Sequence, residues 1–111
     1  MEYAPVKKLV DGYAARQRWD KVREFGELAL NINPYDAELH AALGRAGEAL
    51  GKLDDAIMEW ESALACAPPL RRPAVAHLGL ARARMAKKDV KGAAQAVAEA
   101  LKLEPENAEA L

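Results

Sequence analysis

Apolar residues, mostly alanine and leucine, recur along this chain at the spacing of amphipathic helices. This spacing predicts six helices, and no segment is predicted to be a strand. The predicted helices cover residues 4–16, 20–32, 37–50, 54–66, 73–87 and 90–103.

Three prolines close helical segments and divide the pattern into similar units. Pro34, Pro68 and Pro105 stand 34 and 37 residues apart. Because proline lacks an amide hydrogen and clashes with the preceding helical turn, each one stops a helix and turns the chain. Each unit then holds two amphipathic helices, which cannot bury their apolar faces alone and must stack on the next pair. The period predicts a repeat protein, and binding is the function to expect from such a stack.

Residues at fixed places in each unit resemble the signature of the tetratricopeptide family. The middle unit has the fullest set: His40, Leu43, Gly44, Gly47, Ala56, Trp60 and Pro68. The first unit matches less well, with Val6, Leu9, Val10, Tyr13, Val22, Gly26 and Pro34. The third unit, after three extra linker residues, has His77, Leu80, Ala81, Arg84, Ala93, Val97 and Pro105.

The resemblance implies an all-α fold, a right-handed α-α superhelix (solenoid) of three helix-turn-helix repeats in one domain. The repeats are expected at about residues 3–36, 37–70 and 71–107, and residues 106–111 should begin a next or capping helix. Small residues such as Gly44 and Ala63 should let paired helices approach closely, while Trp60 fills the space between units. Asp36 is placed to cap the third helix.

Composition and charge exclude several classes of function. The 111 residues carry 16 Lys and Arg against 17 Asp and Glu, a net charge of −1, which offers no basic face for nucleic acid. No apolar run reaches the roughly 20 residues that span a bilayer, so we expect no membrane partner. The helix that starts at 106–111 suggests a segment of a longer protein, and the compartment therefore stays open.

Groups that could carry chemistry are few. Cys66 is the only cysteine, which excludes an internal disulfide, and we expect it to be a small buried residue rather than a reactive thiol. His40 and His77 hold the same position in successive units, where side chains lie about 8 to 10 Å apart or more, too far for one zinc ion. Ser62 is the single serine, threonine is absent, and no catalytic motif occurs. We predict no enzyme activity, no metal and no cofactor.

In the family, the first helices of successive units line a concave groove, and the resemblance implies which residues face it here. They are Lys7, Asp11, Glu38, Ala41, Arg45, Glu48, Val75, Leu78, Arg82 and Met85. Leu78 and Met85 would serve as apolar anchors, and the many alanines would leave width for an extended peptide or a helix. Arg45 and Arg82 would orient the ligand. For Arg45 and Arg82, a solvated or internally paired face, for instance a pair of Arg45 with Glu48, is an equally open alternative.

One subset of the family grips the C-terminal carboxylate of heat-shock chaperones through Lys, Asn, Asn, Lys and Arg. The matching positions here are Lys7, Asp11, Ala42, Val75 and Gly79. Only the first lysine is kept, and Asp11 would repel a carboxylate, so chaperone-tail binding is not expected.

Two functions stay open. The first is a scaffold that binds a protein or peptide partner in the groove. The second is a structural spacer or self-association segment of a larger, possibly enzymatic, protein, in which the apolar face of the last unit pairs two chains as a homodimer. That face would comprise Ala94, Val97, Leu101 and Leu103.

Overall fold

The computed structural model describes residues 2–106, and all its regular structure is helical. The helices are α1 (Tyr3–Ala15), α2 (Trp19–Ile32), α3 (Ala37–Ala49), α4 (Leu53–Ala65), α5 (Pro73–Ala86) and α6 (Val90–Leu103). Each begins and ends within one residue of its predicted bounds, which confirms the all-α fold. The helix start expected at 106–111 lies, except for Glu106, outside the described residues.

Helix α3 begins where the sequence predicts a cap. The Asp36 carboxylate accepts hydrogen bonds from the backbone N–H groups of Glu38 and Leu39, at 3.0 and 3.4 Å. These N–H groups have no partner within the helix, so the side chain stabilises its first turn. Helix α5 begins differently, with Pro73 in its first turn, where no N–H is needed.

The first helix of each pair ends on a residue with left-handed backbone. Gly51 follows α3 with φ of 74°, and the equivalent residues after α1 and α5 are Gln17 and Lys88, with φ of 56° and 65°. A left-handed residue reverses the chain after a helix and lets it re-enter an antiparallel partner. All three turns therefore share one geometry, although only the middle one uses glycine.

The order of contacts shows that the helices form an open stack. Each helix packs on the next one along the chain, and in addition α1 contacts α3 and α3 contacts α5. Among the residues described, the even-numbered helices do not contact one another, and α6 does not return to α1. The molecule measures 41 × 27 × 21 Å, as an elongated stack should. The odd-numbered helices thus form the closer, inner row of the predicted solenoid, and a closed bundle is excluded.

The space between the second and third helix pairs is filled by Trp60 of α4, which is fully buried. Its indole ring lies against Gly44 of α3 and Gly79 of α5. A Cβ atom added at Gly44 would stand 2.7 Å from Trp60 Cδ2, and one at Gly79 would lie closer still. The two glycines therefore make room for the ring, and Trp60 joins the second repeat to the third.

Polar side chains bridge successive repeats at offsets that match the repeat period. Arg23 of α2 pairs with Asp55 of α4 at 3.1 Å, and the Tyr3 hydroxyl donates to Asp36. Lys87 beyond α5 pairs with Asp54 at the start of α4. Because each contact joins one helix pair to a helix of the next pair or to its cap, these contacts favour a single register of the stack.

Candidate functional site

The inner row of α1, α3 and α5 is the candidate site, because contacts between α1 and α3 and between α3 and α5 bring helices of all three repeats together. The structure places the ten residues expected in the groove on these three helices. Their surroundings differ, however, from one end of the row to the other. Some are free to meet a ligand, whereas others are paired or buried.

At the α1 end, the single lysine of the groove is already paired. Lys7 Nζ lies 3.1 Å from the Asp11 carboxylate, one helical turn away. An ion pair at this spacing stabilises the helix by a few tenths of a kcal/mol, or about 0.3. It also neutralises the lysine, so this end of the groove offers little positive charge to an anionic ligand.

In the middle of the row, Glu48 of α3 pairs with Arg82 of α5. The carboxylate lies 3.3 Å from Arg82 Nε and accepts a second contact from Nη2 at 3.3 Å. Sequence reasoning considered a pair between Glu48 and Arg45 on the same helix. The structure joins Glu48 to the next repeat instead, so this carboxylate ties two inner helices together.

The two residues expected to be apolar anchors, Leu78 and Met85, differ in burial. Leu78 is only 6% exposed and packs with Ala74 and Ala100 between α5 and α6. Leu78 therefore belongs to the core, because its side chain points from α5 towards α6, the partner helix in the same repeat. Met85, one residue before the end of α5, is 56% exposed and stays available to a ligand.

A cleft of about 330 Å³ opens between α3 and the beginning of α5. Glu38, Ala41 and Arg45 come from α3, and Val75 comes from α5. The remaining lining residues precede α5 in the linker, namely Leu70, Arg71 and Arg72. Sequence reasoning missed these three, because it drew the groove from helices alone. The paired arginines in the lengthened linker were the available signal.

Charges in this cleft are unevenly paired. Glu38 accepts a hydrogen bond from the Arg71 backbone N–H at 3.3 Å and lies 3.8 Å from its guanidinium. Arg72 makes a two-pronged contact with Glu104, at 2.7 and 3.1 Å. Arg45 is exposed and makes no hydrogen bond or ion pair with any of residues 2–106.

The two histidines stand in unlike environments. His40 is buried, with Nδ1 at 2.8 Å from the Glu59 carboxylate and Nε2 at 2.8 Å from the Pro34 carbonyl oxygen. The hydrogen bond to Glu59 raises the pKa of His40 above its ordinary value. His77 is half-buried without such partners among the described residues, and burial lowers its pKa. Neither belongs to a metal-binding group, since the part of the chain described contains no cluster of three candidate ligands.

Cys66 lies at the end of α4 and is partly buried against the core. Burial raises the pKa of its thiol, which favours the less reactive protonated form. Within residues 2–106, no helix has the length and apolar character needed to cross a membrane.

No protein-family model and no curated protein matches the sequence. Solved structures do match, and three of them are tetratricopeptide-repeat (TPR) domains. The TPR domain of Arabidopsis OM64 has a TM-score of 0.88 and 23% identity, over 97% of this chain and 87% of that one. The first TPR of Spaghetti (RPAP3), bound to the HSP90 peptide SRMEEVD, has a TM-score of 0.86, and the first TPR domain of human RPAP3 has 0.83. Both share 23% identity over 97% of this chain and 83% of theirs.

Proposed function

The chain has the fold of tetratricopeptide-repeat domains, and from this premise we propose that it is a protein-interaction scaffold. Its groove, formed by α1, α3 and α5, binds a peptide or a helix of a partner protein. The observation that carries this proposal is the open inner row, where exposed Arg45 lines a cleft of about 330 Å³ and Met85 is exposed at the other end of α5. Such a surface suits binding, because it offers both shape and charge to an extended partner.

A domain of the same fold supports this proposal by example. The first TPR of Spaghetti (RPAP3) is bound to an HSP90 peptide. The peptide SRMEEVD itself is a poor candidate for this chain. Of the residues that grip such a tail in the family, only Lys7 is present here, and Asp11 holds it at 3.1 Å. The groove is therefore proposed to take a different peptide.

A selection from displayed random peptides, followed by blocking the groove, tests the proposal. Ala49 is exposed at the end of α3, one turn beyond Arg45, and Ala98 is exposed on α6. Peptides selected on the unaltered chain should bind the Ala49→Trp variant about tenfold less tightly or worse, because the indole occupies the groove. The Ala98→Trp variant should bind them unchanged. Circular dichroism checks that both variants keep their helices. Equal binding to both variants would refute the groove as the site.

Self-association is a second candidate, favoured by the apolar surface of α6. Leu103 is 51% exposed and Val90 is 63% exposed, while Val97 and Leu101 are half-buried. Exposed apolar side chains on one helix favour pairing with a second copy. Sedimentation equilibrium across a wide range of concentrations separates the two functions, since a strict monomer contradicts the pairing but not the groove.

A further inference from the structure

We propose that the cleft between α3 and α5 selects the ligand, and that it takes an internal aspartate or glutamate side chain of an extended peptide. This inference rests on the proposed function, and it names the chemical class of the peptide. The recognising group is the guanidinium of Arg45, assisted by Arg71 and Arg72. The site lies where the linker residues Leu70, Arg71 and Arg72 meet α3 and the beginning of α5.

Charge complementarity indicates an anionic ligand. Three guanidinium groups line the cleft, and two carboxylates, those of Glu38 and Glu104, pair with Arg71 and Arg72. One positive charge, that of Arg45, stays unmatched within residues 2–106. A guanidinium presents its N–H donors in a planar fork that fits a carboxylate with two parallel hydrogen bonds. A single carboxylate of the ligand would therefore balance the charge of the cleft.

The same count of charges favours a carboxylate over a phosphate. A phosphorylated residue carries about −1.5 to −2 charges, more than the one unmatched guanidinium offers. Glu38 lines the same cleft and would repel the excess. Nucleic acid is disfavoured further, because Asp11 and Glu48 continue the inner row and the whole chain has a net charge of −1.

The apolar floor of the cleft predicts which type of residue lies next to the acidic residue of the bound peptide. Ala41 is 2% exposed, Leu70 is 6% exposed, and Val75 is half-buried, so the floor presents apolar atoms. Apolar atoms are favoured against this floor, whereas a polar side chain would lose its water without gaining a partner. The peptide should therefore carry a small apolar residue next to its acidic one, in an extended conformation that reaches both.

The test uses synthetic peptides from the displayed-peptide selection, N-acetylated and C-amidated so that only side chains carry charge. Aspartate or glutamate beside a small apolar residue should be enriched over the unselected library. In fluorescence anisotropy, replacing that acid by its amide should weaken binding about tenfold. The Arg45→Gln variant should lose a similar factor, and the two changes together should cost little more than either alone, because they remove one contact.

A matched control is Arg16→Gln, which removes an exposed arginine just beyond the end of α1. Its affinity should stay within about twofold of the unaltered chain, while raising the salt from roughly 0.05 to 0.3 M should weaken the wild-type complex. If Arg16→Gln weakened binding as much as Arg45→Gln, the affinity would depend on the total charge of the chain and not on the cleft. That result would contradict the proposal.

The outcomes separate this inference from the proposed function. Peptides that Ala49→Trp blocks but that bind Arg45→Gln normally would leave the groove in place and refute the acidic cleft. So would peptides that bind only with a free C-terminal carboxylate, or that bind more tightly when a phosphoserine replaces the acid. A selection that enriches no peptide at all would contradict both.

Discussion

At the two junctions between repeats, the large side chain and the glycine that faces it stand on opposite sides. At the first junction Gly26 of α2 faces Leu43 of α3, and a Cβ added at Gly26 would stand 2.6 Å from Leu43 Cδ2. At the second junction the large side chain, Trp60, belongs to the earlier repeat, and the glycine, Gly79, belongs to the later one. Each junction joins one large apolar group to one glycine. In the first repeat Gly26 stands where the family signature has an aromatic residue, and Leu43 of the facing repeat fills the space.

The junctions also differ in polarity. The first contains His40, which links the Pro34 carbonyl of the linker to Glu59 of α4 through hydrogen bonds of 2.8 Å each. The second depends on the fully buried Trp60, whose indole N–H has no hydrogen-bond partner among the described residues. A buried charge-assisted pair of the second repeat, His40 with Glu59, is thus tied to the first repeat through the Pro34 carbonyl oxygen. The buried part of the second junction is apolar, and its ion pairs, Lys87 with Asp54 and Arg82 with Glu48, lie closer to the surface.

Truncating the two large side chains tests this contrast with the largest expected effect. Trp60→Ala should lower the free energy of unfolding by about 3–5 kcal/mol, because it leaves a cavity between α3, α4 and α5. Leu43→Ala at the first junction should cost about 2–4 kcal/mol, since a smaller side chain is removed. Urea unfolding followed by circular dichroism measures both.

Trp60→Phe keeps the experiment informative if Trp60→Ala fails to fold. Phenylalanine retains most of the aromatic volume and removes an indole N–H that lacks a partner, so it should cost clearly less than alanine. A loss for Trp60→Phe as large as that for Leu43→Ala would contradict the view that ring volume holds the second junction.

Adding a methyl group at the two glycines gives the next largest effect. Gly79→Ala should lower the free energy of unfolding by about 1–3 kcal/mol, because its new Cβ meets a rigid indole ring. Gly26→Ala should cost less, since the tip of Leu43 is able to rotate away and alanine favours a helix by up to about 1 kcal/mol. Thermal unfolding of both variants measures the difference. Gly12→Ala serves as the control, because within residues 2–106 no atom outside the adjoining backbone and its two chain neighbours lies within 4 Å of its added Cβ.

The sequence predicted the helices closely, because proline stops and helical spacing are local signals. It also predicted the cap at Asp36, which depends on residues two and three positions ahead. It did not predict that Glu48 would pair with Arg82, because that contact depends on how far the next repeat turns. The burial of Leu78 has the same origin, since the exposure of a side chain depends on the helix packed beside it.

The candidate site was predicted in outline only. Alternate helices as an inner wall follow from the repeat, but the basic cleft depends on Arg71 and Arg72 in a linker. The family pattern gives no position for residues added between two repeats, so the pattern could not place them. Their position follows from the packing of Leu70, which is buried and anchors that linker against the core.

The smallest expected effect is a pair of opposite pH dependences at the two histidines. The hydrogen bond to Glu59 raises the pKa of folded His40, so the folded state holds a proton more tightly than the unfolded chain. Its contribution is complete below the ordinary pKa of about 6.5 and is lost as the pH rises through the folded pKa. Burial lowers the pKa of His77, so its effect has the reverse sign, and protonation at acidic pH destabilises the folded state.

His40→Gln should therefore cost about 1 kcal/mol near pH 6, because it removes a charge-assisted hydrogen bond, and less near pH 8.5. His77→Gln should relieve a loss of stability at low pH and change little above pH 7 or so. Urea unfolding at several pH values gives the two slopes against the unaltered chain. A shift of stability in the same direction for both variants as the pH falls would contradict the pairing of His40 with Glu59 and Pro34. That pairing is what gives the two histidines opposite signs.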